Sequence, residues 1–150
     1  MQKRYKLAVA LALAATAASA HAQFKPEESI AYRQGVFKAI RWNLVPMAMM
    51  VQGKMPYDQA AFLARAQRLD QLSKMPWDGF GPGTDAGAPT KAKAEIWSDA
   101  AGFKQAADAF QAETPKLVAA AQTGNMDQIK AAFSGVTKTC DGCDDKFRSK

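Results

Sequence analysis

The feature that most constrains the fold is a hydrophobic stripe in the last part of the chain, residues 125–148. Its members follow one another at intervals of four, three, four, three and four: Ile129, Phe133, Val136, Cys140, Cys143 and Phe147. This spacing places all six side chains on one face of an α-helix of about five turns. The sequence therefore predicts an amphipathic helix whose two cysteines point toward a hydrophobic core.

Three earlier segments also have the periodicity of amphipathic helices. Segment 26–53 contains Pro46, where we expect a kink because proline removes a backbone hydrogen bond. Its predicted core seam is Ile30, Phe37, Leu44 and Val51, with Ile40 and Met47 between them. Segment 58–75 has Asp58 as its predicted N-cap. Segment 98–124 has Ser98 as its predicted N-cap, is interrupted by Pro115 and ends at Gly124.

Residues 76–95 connect the second and third of these segments. Their glycine and proline content predicts a long connection without a regular element, anchored by Trp77 and Phe80. Four amphipathic helices with two short connections and one long one predict an all-α fold, an antiparallel four-helix bundle. Bundles of this kind commonly hold cofactors between facing helices, which agrees with the inward direction of the two cysteines.

The first 22 residues have the pattern of a cleavable signal peptide: a basic start, an Ala-rich apolar run and a closing Ala-His-Ala. The apolar run is shorter than the roughly 20 residues of a membrane span. We expect cleavage after Ala22, which leaves one domain, residues 23–150, in the periplasm and removes His21, the only histidine. Three basic residues leave with this segment, so the formal charge falls from +6 to +3, too little to indicate nucleic acid or a membrane as partner.

The pair Cys140–Cys143 permits several interpretations. Cys-x-x-Cys followed by His is the motif of covalent haem attachment, in which the His is the iron ligand, but here Asp144 follows. In an exported protein the pair also suggests a disulfide. A third possibility is a divalent metal site that adds Asp144 and Asp145 to the thiols. Negative neighbours oppose a reactive thiolate and a catalytic triad needs a histidine, so we predict no catalytic residue and no enzyme.

Four stretches resemble one known family. They are QFKPEESIAYRQ at 23–34, LSKMPWDGFGPGT at 72–84, EIWSDAAGFKQ at 95–105 and the closing KFR. Over nearly its whole mature length the chain is similar to cytochrome c′, the exported four-helix haem proteins of bacteria. The resemblance implies one haem c per chain, attached to Cys140 and Cys143. It also implies electron transfer with a redox partner protein, binding of nitric oxide or carbon monoxide, and a homodimer through the first two helices.

The resemblance also assigns the other residues of the site. Arg33 and Gln34 stand at positions that contact haem, and a guanidinium suits a propionate. Phe37 stands where the family blocks the sixth coordination position of the iron. Trp77 and Phe80 are expected to wall the pocket from the connection, and Arg148 stands near the proximal face.

Asp144 stands at the position of the axial His and is the main departure from the family. Its carboxylate is a harder donor, and its reach is shorter than that of His by roughly 2 Å. A haem-free bundle with a Cys140–Cys143 disulfide, in a structural or redox role, is therefore the alternative prediction.

Overall fold

The computed structural model describes residues 24–150, so the predicted signal peptide and its cleavage site lie outside the described residues. The helices are α1 (Pro26–Val51), α2 (Gln59–Leu72), a 3-10 helix (Pro76–Phe80), α3 (Glu95–Ser98), α4 (Ala100–Thr123) and α5 (Met126–Phe147). The four long helices form the predicted antiparallel bundle. Among residues 24–150, no helix combines the length and apolar character needed to cross a membrane.

Two predicted helix ends are confirmed, one is wrong, and α2 ends at Leu72, three residues before the predicted end. The Asp58 carboxylate accepts from the Ala61 amide at 2.9 Å, which confirms the N-cap of α2. Gly124 ends α4 at a φ of 67°, a backbone conformation that favours glycine. The prediction for Ser98 was wrong: the short helix α3 runs through it, and Asp99 caps α4 by accepting from the Gly102 amide at 3.0 Å.

The connection contains more regular structure than its composition predicts. Pro76 begins a 3-10 helix, a short element that tolerates proline in its first turn. The Trp77 indole N–H donates back to the Ser73 carbonyl at 2.6 Å and fixes this helix against the end of α2. The expectation of no regular element therefore fails at residues 76–80, where these tertiary contacts outweigh the local glycine and proline signal.

The buried face of α1 is rotated from the predicted seam. Ile30, Ile40 and Met47 are buried as expected, but Phe37 is 39% exposed. The buried stripe instead consists of Ile30, Arg33, Val36, Ile40, Asn43, Met47 and Met50. Leu44 and Val51 are partly buried beside it and border a groove toward α5. The seven-residue pattern therefore marks a face of α1 that the other helices cover only in part.

Both internal prolines lie within continuous helices. Pro46 lies inside α1 and Pro115 inside α4, so neither divides its helix in two. Each proline lacks the amide that would bond to the carbonyl four residues earlier. For Pro46 that carbonyl belongs to Trp42, and Arg65 of α2 donates to it over a long 3.4 Å contact. A side chain from the neighbouring helix thus partly replaces the missing backbone donor.

The connection packs closely on α1 at Gly79. A Cβ atom built on Gly79 would lie 2.8 Å from Cβ of Arg33 and 2.9 Å from the Ser29 carbonyl oxygen. The Tyr32 hydroxyl adds a hydrogen bond of 2.8 Å to the Met75 carbonyl. Because a backbone atom cannot move aside cheaply, only glycine fits this contact.

We predict that Gly79→Ala lowers the free energy of unfolding by about 1–3 kcal/mol, because the added methyl group overpacks the contact with α1. Gly81→Ala is the matched control, since nothing lies within 4 Å of its built Cβ and its φ of −60° suits any residue. Urea unfolding of the two variants measures the difference. Equal stability losses would contradict the close packing of Gly79.

Candidate functional site

Six aromatic rings from distant parts of the chain form one contiguous group, the aromatic cluster. Its members are Phe37 of α1, Trp77 and Phe80 of the 3-10 helix, Trp97 of α3, Phe103 of α4 and Phe147 of α5. The ring centroid of Phe103 lies 4.9 Å from Phe80, 5.7 Å from Trp77 and 5.3 Å from Phe147. Edge contacts at such separations are favourable. The cluster links the connection to α1, α4 and α5.

The three predicted aromatic site residues lie together in this cluster. The Phe37 centroid is 6.1 Å from Trp77 and 6.3 Å from Phe80. The sequence interpretation did not assign Trp97, Phe103 or Phe147 to the site, although Phe147 belongs to the predicted stripe of the last helix. The available signal was that Trp97 and Phe103 fall inside a stretch that matches the family, and that Phe147 continues the cysteine stripe.

Arg33 is buried beneath this cluster with 2% of its surface exposed. Its Nη1 donates to the Gly79 carbonyl at 2.7 Å and to Thr84 Oγ1 at 3.0 Å, and its Nη2 donates to Thr90 Oγ1 at 3.1 Å. The guanidinium carbon lies 4.4 Å from the centre of the Phe80 ring, a cation–π contact. Neighbouring Gln34 donates to the Pro89 carbonyl at 2.9 Å. These bonds hold the connection over α1.

The Arg33 guanidinium has no carboxylate contact in the part of the chain that the structure describes. Burial lowers the pKa of Arg33, and the negative charge of Asp85 partly offsets this decrease. Of its five N–H groups, the three bonds above use both on Nη1 and one on Nη2. One Nη2 hydrogen and the Nε hydrogen remain for an acceptor. A buried cation with free donors suits an anionic group.

Trp77 is positioned by a buried polar network between α2 and α4. Its indole bonds the Ser73 carbonyl, and the Ser73 hydroxyl lies 3.2 Å from Thr114 Oγ1. The Thr114 hydroxyl donates to the Asp70 carboxylate at 2.9 Å. Ser73 and Thr114 are completely buried, and the Ser73 hydroxyl also donates to the Asp70 carbonyl at 2.8 Å, so both hydroxyls are paired inside the fold. The network therefore supports Trp77, which forms one wall of the site, from the side of α2 and α4.

Cys140 and Cys143 lie one turn apart on α5 as partly buried free thiols. Cys140 packs against the hydrophobic core. Burial, followed by the charges of Asp144 and Asp141, raises the pKa of Cys140 to about 11. Burial and then Asp144 also raise the pKa of Cys143. Both thiols are therefore protonated at neutral pH.

The end of α5 is held by ionic contacts. Asp144 Oδ2 lies 2.7 Å from Arg148 Nη1, and both side chains are about half exposed. Lys146 pairs with Asp99 at the start of α4. The ammonium group of Lys93 donates to the carbonyls of residues 145 and 146, and its amide donates to the carbonyl of Phe147. The turn after the cysteines is thus fixed to the connection and to α4.

Two open grooves flank the site. One, of about 370 Å³, is lined from Leu44 to Gln52 on α1 and from Lys130 to Thr137 on α5. Phe37 on α1 and Asp144 on α5 each lie seven residues beyond this groove, about two helical turns. The other groove, of about 490 Å³, lies between α4 and the connection and is lined by Trp77, Phe80 and Phe103 but by neither cysteine.

The metal-site interpretation of the cysteine pair was wrong. Within residues 24–150 no group of three His, Cys, Asp or Glu side chains is arranged to hold a metal ion. Asp144 is instead bonded to Arg148, and raised thiol pKa values disfavour the thiolates that a metal needs. What the geometry offers is a pair of thiols for covalent bonds, an aromatic wall and a buried cation.

Comparison with known proteins gives consistent matches. The family model described as Cytochrome C′ matches residues 28–148. Cytochrome c′ from Rubrivivax gelatinosus is 48% identical over 126 residues, which cover 84% of this chain and 98% of that protein. Two solved structures of variant cytochrome c prime from Alcaligenes xylosoxidans, one a nitric oxide complex and one carbon monoxide bound, are each 44% identical with a TM-score of 0.78. Each covers 84% of this chain, and the chain covers 97% and 98% of them, respectively.

We predict that Thr114→Val lowers the free energy of unfolding by about 1–2 kcal/mol, because it removes the buried hydrogen bond to Asp70 and the contact with the Ser73 hydroxyl. Near-ultraviolet circular dichroism should also change, since Trp77 depends on this network. Thr137→Val is the matched control, because the Thr137 hydroxyl bonds only the Ser134 carbonyl of its own helix. An unchanged tryptophan signal in Thr114→Val would contradict the role of the network.

We predict that the reduced, haem-free protein loses stability as the pH rises from about 9 to about 11. The Cys140 thiol ordinarily titrates near 9.0 and in the fold near 11, so above pH 9 the unfolded chain ionises first. The contribution of Cys140 to stability is fully present below pH 9, and its loss should approach about 3 kcal/mol as the pH passes 11. Urea unfolding at several pH values measures it. Cys140→Ala should show a smaller loss, and an equal loss in both proteins would contradict the burial of this thiol.

Proposed function

The chain belongs to the cytochrome c′ family, and we propose that it is an exported cytochrome that holds one haem c through thioether bonds to Cys140 and Cys143. The observation that carries this proposal is the position of both thiols on the inward stripe of α5. Phe147, one turn beyond Cys143 on that stripe, contacts Phe103 of the aromatic cluster. Covalent attachment would therefore use two thiols that already lie on the inward-facing stripe of α5.

The residues around the thiols suit a flat apolar ring with acidic substituents. Trp77, Phe80 and Phe103 form an apolar wall, and Phe37 is partly exposed and so available for contact with a bound group. The free donors of buried Arg33 fit a haem propionate, which would supply the missing negative charge. Gln34 lies beside Arg33 on α1 and contributes a further polar contact. Arg148 contributes positive charge beside α5.

Haem, when bound, supplies a one-electron centre and a coordination site for diatomic gases. The chain's own residues position the group and control access. Phe37 lies on α1 beside Trp77 and Phe80 and would limit the approach of ligands from that side. Structures of relatives in nitric oxide and carbon monoxide complexes support gas binding as one role. We propose electron transfer, gas binding or both, with a redox partner protein, and no catalysed reaction.

Export and dimer formation complete the proposal. Residues 1–22 act as a signal peptide that is cleaved after Ala22, and residues 23–150 form the haem domain in the periplasm.

On α1, Trp42 is 76% exposed and Val45 is 45% exposed. Arg65 of α2 reaches the Trp42 carbonyl, so this apolar surface lies beside α2. A homodimer through α1 and α2 would cover both side chains.

The alternative function is a haem-free bundle with a Cys140–Cys143 disulfide in a structural or redox role. The observation that favours it is Asp144, which takes the place of the motif's histidine and is bonded to Arg148. Two cysteines one helical turn apart are close enough in Cα separation for a disulfide. Their raised pKa values argue against fast thiol exchange, so this disulfide would be mainly structural.

The test is the intact mass and visible spectrum of mature protein exported from cells that attach haem c. We expect a mass increased by one haem and a Soret band that survives denaturation, and loss of both in a Cys140→Ala, Cys143→Ala double variant. A colourless protein two hydrogen atoms lighter than its reduced form would establish the disulfide and contradict haem attachment. Reversible reduction and nitric oxide titration of the coloured protein then separate electron transfer from gas binding.

A further inference from the structure

The residue after Cys143 is the one part of the site that does not suit haem. Asp144 Oδ2 is 2.7 Å from Arg148 Nη1 across one turn of α5. This charge-assisted bond lies within the range of strong hydrogen bonds. The two side chains are 55% and 54% exposed, so the pair lies at the surface. The carboxylate is therefore occupied by a cation and directed along the helix toward its end.

The other donor side chains near this turn are also engaged. The Lys146 ammonium pairs with Asp99, and the Lys93 ammonium bonds two carbonyls at the end of α5. Residues 24–150 contain no histidine. Met47 and Met50 are buried in the core beside the part of α1 that faces residues 130–137, about two turns from Cys143. None of these four side chains is placed to replace the missing imidazole.

Aspartate in place of the motif's histidine also leaves space beside α5 at residue 144. An aspartate side chain reaches roughly 2 Å less far from the backbone than a histidine, from ordinary bond lengths. Because Asp144 and Arg148 are half exposed, small molecules have access to this end of α5 from solvent. An iron atom above the two thioether positions would therefore face a solvent-accessible gap on the α5 side.

We propose that Asp144 forms an ion pair that is structural and does not bind iron. The haem iron of this protein then has an open axial position on the α5 side that takes an external nitrogen base of the imidazole class. This inference rests on the proposed covalent attachment of haem. In this proposal Asp144 and Arg148 stabilise the end of α5, and the axial ligand of the iron comes from solution and can be exchanged.

The experiment uses mature protein exported with haem attachment, whose intact mass is measured first. Imidazole, the probe, is titrated while the visible spectrum is recorded. We expect one saturable spectral change in the natural protein and the same change in Asp144→Ala, whose spectrum without imidazole should equal that of the natural protein. Asp144→His should show the ligand-bound spectrum from the start and at least a tenfold weaker response to imidazole.

Asp145→His is the matched control, because it places the same imidazole one residue later, rotated 100° around α5. It should titrate as the natural protein does. An altered spectrum of Asp144→Ala before imidazole is added would identify Asp144 as a ligand and overturn the inference, as would haem-loaded natural protein that does not respond to imidazole. Both results leave the proposed function intact. A mass without haem overturns the proposed function, and the inference with it.

Discussion

The site depends most on one buried cation, the Arg33 guanidinium. A charged side chain inside a small bundle is costly unless its hydrogen bonds are satisfied. Three of the five Arg33 N–H groups are paired with Gly79, Thr84 and Thr90, so the long connection must close over α1 for the cation to be buried. The same closure places the Phe80 ring against the guanidinium. One side chain thus couples the helix core, the connection and the aromatic wall.

The two halves of the candidate haem site have different relations to the fold. The attachment half, Cys140 and Cys143, continues a core stripe and agrees with the rest of the helix. The ligand half, at Asp144, has become part of an ion pair with Arg148. Burial, followed by the charge of the Asp144 carboxylate, raises the pKa values of both thiols and keeps them protonated. The chemistry at the end of α5 therefore differs from that of a chain with histidine at this position.

Much of the fold could be predicted because it follows from periodicity and capping. The α5 stripe, the Asp58 cap and the Gly124 stop each depend on residues within one or two helical turns. The seam of α1 could not be predicted as easily, since Phe37, Leu44 and Val51 keep the seven-residue spacing on a face that other helices cover only in part. Burial of Arg33 depends on partners from distant segments, which local periodicity does not indicate.

By itself, the sequence determined the bundle, the inward direction of the cysteines and the absence of a histidine after Cys143. These features arise from side-chain spacing and residue identity, which do not depend on distant contacts. Only the tertiary structure decided that Trp97, Phe103 and Phe147 join Trp77 and Phe80. It also decided that Arg33 is buried without a carboxylate and that Asp144 bonds Arg148. The physical reason is that the aromatic contacts and the Arg33 hydrogen bonds join elements far apart in the chain. The Asp144–Arg148 bond is one of several directions open to these side chains, and the packing around them selects it.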